Sequence, residues 1–335
     1  MNRKKIGIIG AGSFGTALAI TLVNKGHLVK IWSRDSRQLD LMQETRQNSK
    51  FLPEAVLPDE LEMAYTMEDA ISGADIVLFG VPAQAFRSVF AEAVKYLESE
   101  TIVVNVAKGI EMGTLLRLSQ VAKEVKPDVR YVTLSGPSHA EEIAANLPTT
   151  VAVAAEDDSL ALAVQEAFIT ERFRVYTNHD VAGVELGGSL KNIIALGAGI
   201  SDGMGFGDNA KAALMTRGIT EMCRLGATLG ASLETFSGLT GIGDLIVTCT
   251  SMHSRNRRCG MLIGQGVEPS QAVKEIGMVV EGITTAEAAY ALSQQYGIEM
   301  PITECIYKVI HGEMDARHAV PYLMERGMKN EMHIF

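Results

Sequence analysis

The most constraining feature of this 335-residue chain lies at its start, where a short apolar run is followed by three spaced glycines. The run ends at Ile9, and Gly10-Ala-Gly12-Ser-Phe-Gly15 then leads into a helical pattern over residues 16–24. In such a strand-turn-helix, the first glycine permits a tight turn, the second admits a pyrophosphate and the third lets helix and strand pack closely. The helix N-terminus then faces the phosphates. This context predicts a Rossmann sheet that binds a dinucleotide.

Apolar β-rich runs alternate with helical patterns in the first half of the chain. The predicted strands are residues 6–9, 28–32, 76–81, 102–106 and 129–134. Alternation with helices predicts that these strands form a parallel sheet. After Asp180, segments rich in Ala, Leu, Met and Glu predict an almost entirely helical region. We therefore expect an α/β chain with a doubly wound dinucleotide-binding domain over residues 1–178 and an all-α substrate-binding and catalytic domain over residues 179–335.

The composition excludes several classes of function. A net charge of -10 opposes binding to nucleic acid or to an anionic membrane surface. We see no apolar stretch long enough to insert into a membrane and no signal peptide, and therefore expect a soluble, cytoplasmic protein. The 4 cysteines form no Cys-x-x-Cys pair, which indicates reduced thiols. The 7 histidines lack metal-ligand spacing, so we predict no metal site.

The residues after the second predicted strand bear on the choice of cofactor. In Rossmann domains this position contacts the adenosine ribose, and here it holds Arg34 and Asp35. An arginine pairs with the 2'-phosphate of NADP, whereas a carboxylate accepts hydrogen bonds from the ribose hydroxyls of NAD. We expect NADP(H) to be preferred and NAD(H) to be possible. The alternative is that Arg34 is a solvated loop charge.

Two lysines stand out in apolar surroundings. Lys108 follows a predicted strand, at the sheet edge where ligands bind in doubly wound folds, although it could simply be the first solvated residue there. Lys191 is the only basic residue of an apolar helical stretch and is flanked at helical spacing by Gly187, Gly188 and Ala195. Bare backbone around a lysine predicts the close approach of a ligand. The alternative is a lysine that snorkels from a helix-packing face.

A loop after the last predicted strand contains Gly136 and Ser138. Ser138 and Glu141 have the spacing of a capping box for the following helix. A tight loop with free amides would equally hold a substrate or a nicotinamide. The sequence leaves both interpretations open.

Glycines, one acid and three arginines are concentrated between residues 238 and 258. Arg255, with Ser254 and Asn256 on either side, offers forked and single donors that suit a phosphoryl group. Surface arginines paired with acids are the alternative. Asp244 lies in the same segment and could cap a helix.

Seven motifs occur in order along the chain: Gly10-Ala-Gly-Ser-Phe-Gly15, Lys108-Gly109, Ser135-Gly-Pro-Ser138, Gly187-Gly-Ser-Leu-Lys191-Asn192, Gly241-Ile-Gly-Asp244, Ser254-Arg-Asn-Arg-Arg258 and Val279-Val-Glu-Gly282. Together they resemble the family of bacterial NAD(P)-dependent glycerol-3-phosphate dehydrogenases, from about Ile6 to Arg326. The resemblance implies a second domain like that of 6-phosphogluconate dehydrogenase, with the active site between the domains. It also implies a role in glycerophospholipid synthesis and a possible homodimer.

The resemblance further implies roles for individual residues. Lys191 would be the catalytic acid/base. The implied contacts of glycerol 3-phosphate are Lys108, Gly136, Ser138, Asp244, Ser254, Arg255 and Asn256. The implied contacts of the dinucleotide, besides the glycine turn, are Ser13, Phe14, Arg34, Phe51, Lys108, Ala140, Arg255, Val279 and Glu281.

The expected reaction is the reversible reduction of dihydroxyacetone phosphate to sn-glycerol 3-phosphate. Lys191 would protonate the developing oxyanion, and we expect burial and nearby Lys108 to lower its pKa. The closest alternative is a β-hydroxyacid or sugar-acid dehydrogenase of the same architecture, which would bind a carboxylate. A redox-sensing dinucleotide-binding protein is the alternative from another class, but it has no reason to bury Lys191.

Overall fold

The computed structural model describes residues 3–327, and its contacts divide the chain into two units. The sheet unit comprises the residues up to Ala107 together with Leu118–Val181. The helical unit comprises Lys108–Arg117, which we call the strap, together with the residues from Ala182 onward. The strap thus groups with the helices, although it lies between two elements of the sheet unit. The expected domain boundary between residues 178 and 179 stays a prediction.

The sheet unit contains ten strands and seven helices within the described residues. Its strands are β1 (Lys5–Ile9), β2 (Leu28–Trp32), β3 (Gln47–Asn48), β4 (Leu52–Val56), β5 (Glu62–Ala64), β6 (Ile76–Phe79), β7 (Ile102–Asn105), β8 (Arg130–Ser135), β9 (Thr149–Ala154) and β10 (Phe173–Asn178). Its helices are α1 (Ser13–Asn24), α2 (Ser36–Thr45), α3 (Met67–Ile71), α4 (Phe86–Ala93), α5 (Leu118–Val125), α6 (Ala140–Ala144) and α7 (Asp158–Phe168).

Eight of these strands form one sheet in the order β10-β9-β8-β7-β6-β1-β2-β5, and β3 pairs with β4 separately. The expected Rossmann topology is confirmed from β5 to β8, where neighbouring strands are parallel. Strand β9, which was not among the predicted strands, runs antiparallel to β8. Only the short helix α6 connects these strands, and it packs against α1 instead of crossing back along the sheet.

The central strands are buried on both faces, which explains their apolar sequences. Every residue of β6 and β7 is buried, as expected of strands covered by helices on both sides. Phe79 at the end of β6 meets Phe86 and Phe90 of α4 edge-on, with ring centroids 5.8 and 5.3 Å away. Such aromatic contacts fix α4 on the sheet.

The helical unit follows the sheet unit in the chain and contains nine helices within the described residues. They are α8 (Val181–Gly203), α9 (Asp208–Thr228), α10 (Leu233–Phe236), α11 (Asp244–Thr250), α12 (Arg255–Gly264), α13 (Pro269–Ile276), α14 (Glu281–Tyr296), α15 (Pro301–Ile310) and α16 (Ala316–Met324). A π-helical turn, Leu239–Gly243, precedes α11. The predicted helical region is confirmed. None of the helices in residues 3–327 is long and apolar enough to cross a membrane.

Helix α8 lies in the core of the helical unit, with Leu190, Ile194 and Leu196 almost fully buried. Helix α12 approaches it closely because glycine replaces larger side chains at the contact. A Cβ at Gly260 would lie 2.1 Å from the backbone oxygen of Leu196. Close backbone packing therefore holds α12, and the residues at its start, against α8.

Candidate active site

The glycine turn between β1 and α1 has the geometry expected from its sequence. Gly10 has a φ of 113°, and a Cβ there would lie 2.7 Å from the backbone oxygen of Gly80. At Gly15 a Cβ would lie 2.2 Å from the backbone oxygen of Gly10. At Gly12 the nearest atom to a Cβ would be 3.9 Å away, so the space beside this residue is open. The turn therefore fits a pyrophosphate approaching Gly12 and the first amides of α1.

A polar network not expected from the sequence holds this turn in place. The side-chain amide of Asn48 donates to the backbone oxygen of Ala11 at 2.9 Å and to the hydroxyl of Thr16 at 2.8 Å. Gln38 donates to the same backbone oxygen at 2.7 Å. Asn48 is almost fully buried, and an isolated asparagine in the sequence gives no sign of this role.

The other expected dinucleotide contacts of the sheet unit lie on several elements. Ser13, at the start of α1, donates to the backbone oxygen of Phe51 at 2.6 Å, so these two residues are brought together. Phe14 is half-buried against the core, and Ala140 is the buried first residue of α6.

After β2, the two charged residues differ in their surroundings. The Asp35 carboxylate caps α2 by accepting from the backbone N–H of Arg37 at 3.2 Å. Arg34 is exposed. Asp35 therefore already has a structural role, while the Arg34 guanidinium is accessible to an anion.

Of the two interpretations left open for Ser138, the capping box with Glu141 is wrong. Helix α6 begins at Ala140, its N-cap is His139, and no side chain caps it. The Ser138 hydroxyl instead donates to the backbone oxygen of Gly136 at 2.8 Å. Gly136 has a φ of 143°, which turns the chain so that Ser138 folds back into the loop before the helix starts.

Three charged groups meet inside the helical unit. The Lys191 ammonium on α8 lies 2.6 Å from one carboxylate oxygen of Asp244 and 2.6 Å from the Thr248 hydroxyl. The Lys108 ammonium, on the strap, lies 2.7 Å from the other oxygen of Asp244. Lys191 is 5% exposed and Asp244 is 1% exposed. Lys191 therefore does not snorkel to the surface, and one buried carboxylate bridges two ammonium groups.

The electrostatics of this lysine cluster, Lys108, Lys191 and Asp244, follow from burial and from the bridge. The pKa of Lys191 is lowered to about 8, with burial as the largest cause; Lys108 also acts to lower it, whereas Asp244 acts to raise it. Burial also acts to raise the pKa of Asp244, but Lys108 and Lys191 hold that pKa below its ordinary value. The expected lowering of the Lys191 pKa is confirmed, although the opposing effect of Asp244 was not foreseen from the sequence.

The π-helical turn before α11 packs on α8, the helix that carries Lys191. Asp244 is the first residue of α11, not its N-cap, so the capping interpretation is wrong. Thr248 follows one turn later and could be recognised only by its helical spacing from Asp244. A Cβ at Gly187 would lie 2.5 Å from the backbone oxygen of Thr240 in this turn. Gly187 is therefore required by the packing of the turn on α8, and not by a ligand as we expected.

Ser254, Arg255 and Asn256 share the N-terminus of α12. Ser254 caps the helix by accepting from the backbone N–H of Arg257 at 3.2 Å. The Asn256 side chain donates to the side-chain oxygen of Asn192 at 2.9 Å and accepts from the backbone N–H of Gly282 at 2.8 Å. Asn192 directly follows Lys191 in the sequence.

The Asn256 side chain thus ties the start of α12 to α8 and to the start of α14. Arg255 is half-buried at the first position of α12. Glu281 is the half-buried first residue of α14, next to Gly282, and Val279 before it is exposed. The structure therefore brings the start of α14 to the start of α12, a contact that the sequence does not reveal.

Comparison with known families places the chain in one of them. A family model described as the N-terminus of NAD-dependent glycerol-3-phosphate dehydrogenase matches residues 5–161, and the model of its C-terminus matches residues 180–321. The chain belongs to the NAD-dependent glycerol-3-phosphate dehydrogenase family.

Relatives within the glycerol-3-phosphate dehydrogenase family match almost the whole chain. The [NAD(P)+] enzyme of Clostridium tetani is 51% identical over 99% of this chain and 95% of its own length. That of Pelotomaculum thermopropionicum is 52% identical over 98% of this chain and 95% of its own length. The crystal structure of glycerol-3-phosphate dehydrogenase from Coxiella burnetii aligns with a TM-score of 0.92 at 40% identity and covers 97% of this chain and 99% of its own.

In this glycerol-3-phosphate dehydrogenase family member, one of the four cysteines, Cys249, lies near Lys191. None of the four cysteines forms a disulfide in the structure. Burial raises the pKa of Cys249, near Lys191, to about 12, which keeps this thiol protonated and unreactive. Within residues 3–327, no group of three or more His, Cys, Asp or Glu side chains is arranged to hold a metal ion.

Proposed function

We propose that this chain reversibly reduces dihydroxyacetone phosphate to sn-glycerol 3-phosphate, with NADPH or NADH as the reductant. The observation that carries the proposal is the buried lysine cluster of Lys108, Lys191 and Asp244 in a chain of this family. A buried lysine whose pKa lies near working pH is suited to general acid catalysis at a carbonyl.

Lys191 is the proposed catalytic acid. A bound dihydronicotinamide supplies the hydride that reduces the ketone carbon. The ketone oxygen then gains negative charge, and the Lys191 Nζ donates a proton to it and later recovers one from solvent. Asp244 stabilises the ammonium before transfer, and Lys108 adds positive charge beside the developing oxyanion. In the oxidation direction, the neutral Lys191 amine accepts the hydroxyl proton.

Arg255 is the proposed principal donor to the substrate phosphate. Its guanidinium offers forked donors at the N-terminus of α12, where the helix dipole also favours an anion. The Ser254 oxygen accepts a backbone hydrogen bond, which leaves its O–H to donate to the phosphate. The remaining proposed substrate contacts are Lys108, Gly136, Ser138, Asp244 and Asn256.

The glycine turn is the proposed site of the dinucleotide pyrophosphate. Its open side at Gly12 and the amides that begin α1 support this assignment. The further proposed contacts are Ser13, Phe14, Arg34, Phe51, Lys108, Ala140, Arg255, Val279 and Glu281. Exposed Arg34 supports a preference for NADPH over NADH, because it can pair with the 2'-phosphate.

Three further proposals extend the family resemblance. The enzyme would supply the backbone of glycerophospholipids, work in the cytoplasm and form a homodimer. Sedimentation velocity tests the last of these, since a species of about twice 36.0 kDa is expected.

The decisive comparison is between substrates. Oxidation of NADPH is followed by absorbance with dihydroxyacetone phosphate, and then with β-keto acids that test the β-hydroxyacid dehydrogenase alternative. We expect turnover only with the phosphorylated triose. Faster turnover of a β-keto acid would contradict the proposal, and binding of NADPH without turnover of either substrate would favour a redox sensor.

A further inference from the structure

Lys108 is the first residue of the strap, which belongs to the helical unit although the residues on both sides of it in sequence belong to the sheet unit. The chain leaves the sheet unit after Ala107, contacts the helical unit through the strap, and returns at Leu118. Within the strap, Ile110 is almost fully buried in the core of the helical unit, and Leu115 packs against the same core. Lys108 is therefore carried by a segment that is itself packed onto the helices.

The strap closes on itself as a small hairpin. An antiparallel β-bridge joins Ile110 to Arg117, and the backbone N–H of Glu111 donates to the backbone oxygen of Leu116 at 3.0 Å. Leu115 has a φ of 59°, in the left-handed region that a leucine rarely adopts. Such strained conformations persist only where surrounding contacts impose them, and they concentrate at functional sites. The bridge therefore couples the position of Arg117 to that of the segment beginning at Lys108.

Two ion pairs attach the strap to the rest of the helical unit. One is the pair of Lys108 with Asp244 in the lysine cluster. The other joins the Arg117 guanidinium to the Glu185 carboxylate at 2.9 Å, with side chains only 17% and 5% exposed. Glu185 lies on α8, six residues before Lys191. The second pair thus anchors the strap to the helix that carries the proposed catalytic lysine.

We propose that Arg117 and Glu185 are positioning residues, whose ion pair fixes the strap on α8 so that the Lys108 ammonium stays beside Asp244 and Lys191. The inference rests on the proposed function, because it concerns the same reaction. Neither residue belongs to the sets proposed above to contact substrate or cofactor. They act through Lys108, whose contact with the substrate and whose charge near Lys191 both depend on where the strap lies.

Loss of the ion pair between Arg117 and Glu185 should change the pKa of Lys191, which a general loss of stability would not do. The groups that influence Lys191 electrostatically are Asp244 and Cys249 on α11 and Lys108 on the strap. Of these, Lys108 acts to lower the pKa of Lys191, while the other two act to raise it. Displacement of Lys108 would therefore raise the pKa of Lys191. The alkaline limb of the activity profile would move to higher pH.

The test compares Glu185→Gln and Arg117→Lys with the wild-type chain. For Glu185→Gln we expect kcat/KM for dihydroxyacetone phosphate to fall by about 10- to 100-fold, as small misplacements of reacting groups do. We also expect the alkaline limb to shift upward and the KM for NADPH to stay unchanged. Arg117→Lys keeps the positive charge but lacks the forked donors of the guanidinium. It should therefore give a smaller fall in kcat/KM and a smaller upward shift of the alkaline limb.

The matched control is Arg87→Gln, which removes an exposed ion pair with Glu124 in the sheet unit and should leave every parameter unchanged. Wild-type kcat/KM and an unmoved alkaline limb in folded Glu185→Gln would overturn the inference. If Glu185→Gln does not fold, the same result in Arg117→Lys overturns it. A wild-type chain that does not reduce dihydroxyacetone phosphate would instead contradict the proposed function.

Discussion

Lys191 sits between two opposing influences, burial that favours the neutral amine and a carboxylate that favours the ammonium. Burial has the larger effect, so the pKa of Lys191 falls from its ordinary value to about 8. The amine is thus charged in neutral solution yet gives up its proton readily. This balance explains why the chain places Asp244, itself almost fully buried, between two lysines.

The pH dependence follows from that balance. Reduction of the ketone needs the ammonium, so kcat/KM for dihydroxyacetone phosphate should fall about tenfold per pH unit above pH 8. Oxidation of glycerol 3-phosphate needs the neutral amine, so its kcat/KM should fall below the same pH. Steady-state rates in both directions from about pH 6 to pH 10 test this. Profiles that change in the same direction would show that another group controls the proton.

Arg34 should determine the preference for the phosphorylated cofactor. A charge-assisted hydrogen bond contributes about 1.5–3 kcal/mol, so Arg34→Gln should raise the KM for NADPH by roughly 10- to 100-fold. The KM for NADH should change little. Arg172→Gln, at an exposed arginine next to β10 at the other end of the sheet, is the control. Equal effects on both cofactors would mean that Arg34 does not contact the 2'-phosphate.

Arg255 should contribute to substrate binding more than to the rate of the chemical step. Its removal in Arg255→Ala takes away a donor to the phosphate worth about 1.5–3 kcal/mol. We expect a higher KM for dihydroxyacetone phosphate with a smaller change in kcat, measured at saturating NADPH. An unchanged affinity for the triose would mean that the phosphate site has been assigned wrongly.

The N-terminus of α15 is capped by a side chain from another helix, α9. Glu221 of α9 is almost fully buried and accepts from the backbone N–H groups of Ile302 and Thr303, at 2.6 and 3.0 Å. These donors begin α15 and would otherwise have no helical acceptor. Burial raises the pKa of Glu221 to about 7, against these hydrogen bonds. The side chain thus joins two helices at a cost in desolvation.

Removing this buried cap should destabilise the chain more than removing an exposed one. Glu221→Ala leaves two buried N–H groups unsatisfied, which costs about 2–4 kcal/mol. Glu268→Ala removes the exposed cap of α13, where the carboxylate accepts from the Gln271 N–H at 3.1 Å, and should cost less stability because water can satisfy the freed N–H group. Urea unfolding followed by circular dichroism compares them. Equal losses would contradict the role assigned to Glu221.

The elements predicted well from the sequence are those whose local pattern decides their structure. β2 was predicted residue for residue from its local pattern. β1, β6, β7 and β8 were predicted to within two residues at either end, because their apolar runs are almost entirely buried. The direction of β9 was not predicted, because it depends on where α6 packs. The bridge between Lys191 and Asp244 joins residues 53 positions apart, and no local pattern encodes it.

Each of the two units has its own hydrophobic core, and the chain passes between them more than once because of the strap. The strap has no helical or strand period by which the sequence could assign it to either unit. Lys108 was singled out because it follows a strand, yet its contact with Asp244 arises within the helical unit. The sequence thus singled out Lys108, Lys191 and Asp244, while only the three-dimensional contacts assign them to one cluster.

The most direct test of the proposed mechanism is the turnover of Lys191→Met with dihydroxyacetone phosphate, alongside its affinity for NADPH by fluorescence titration. Loss of a general acid predicts a fall in kcat of about 100- to 10,000-fold with NADPH binding unchanged. Lys123→Met, which removes a lysine from an exposed ion pair with Glu156, should retain full turnover. Wild-type turnover in Lys191→Met would contradict the assignment of Lys191 as the proton donor.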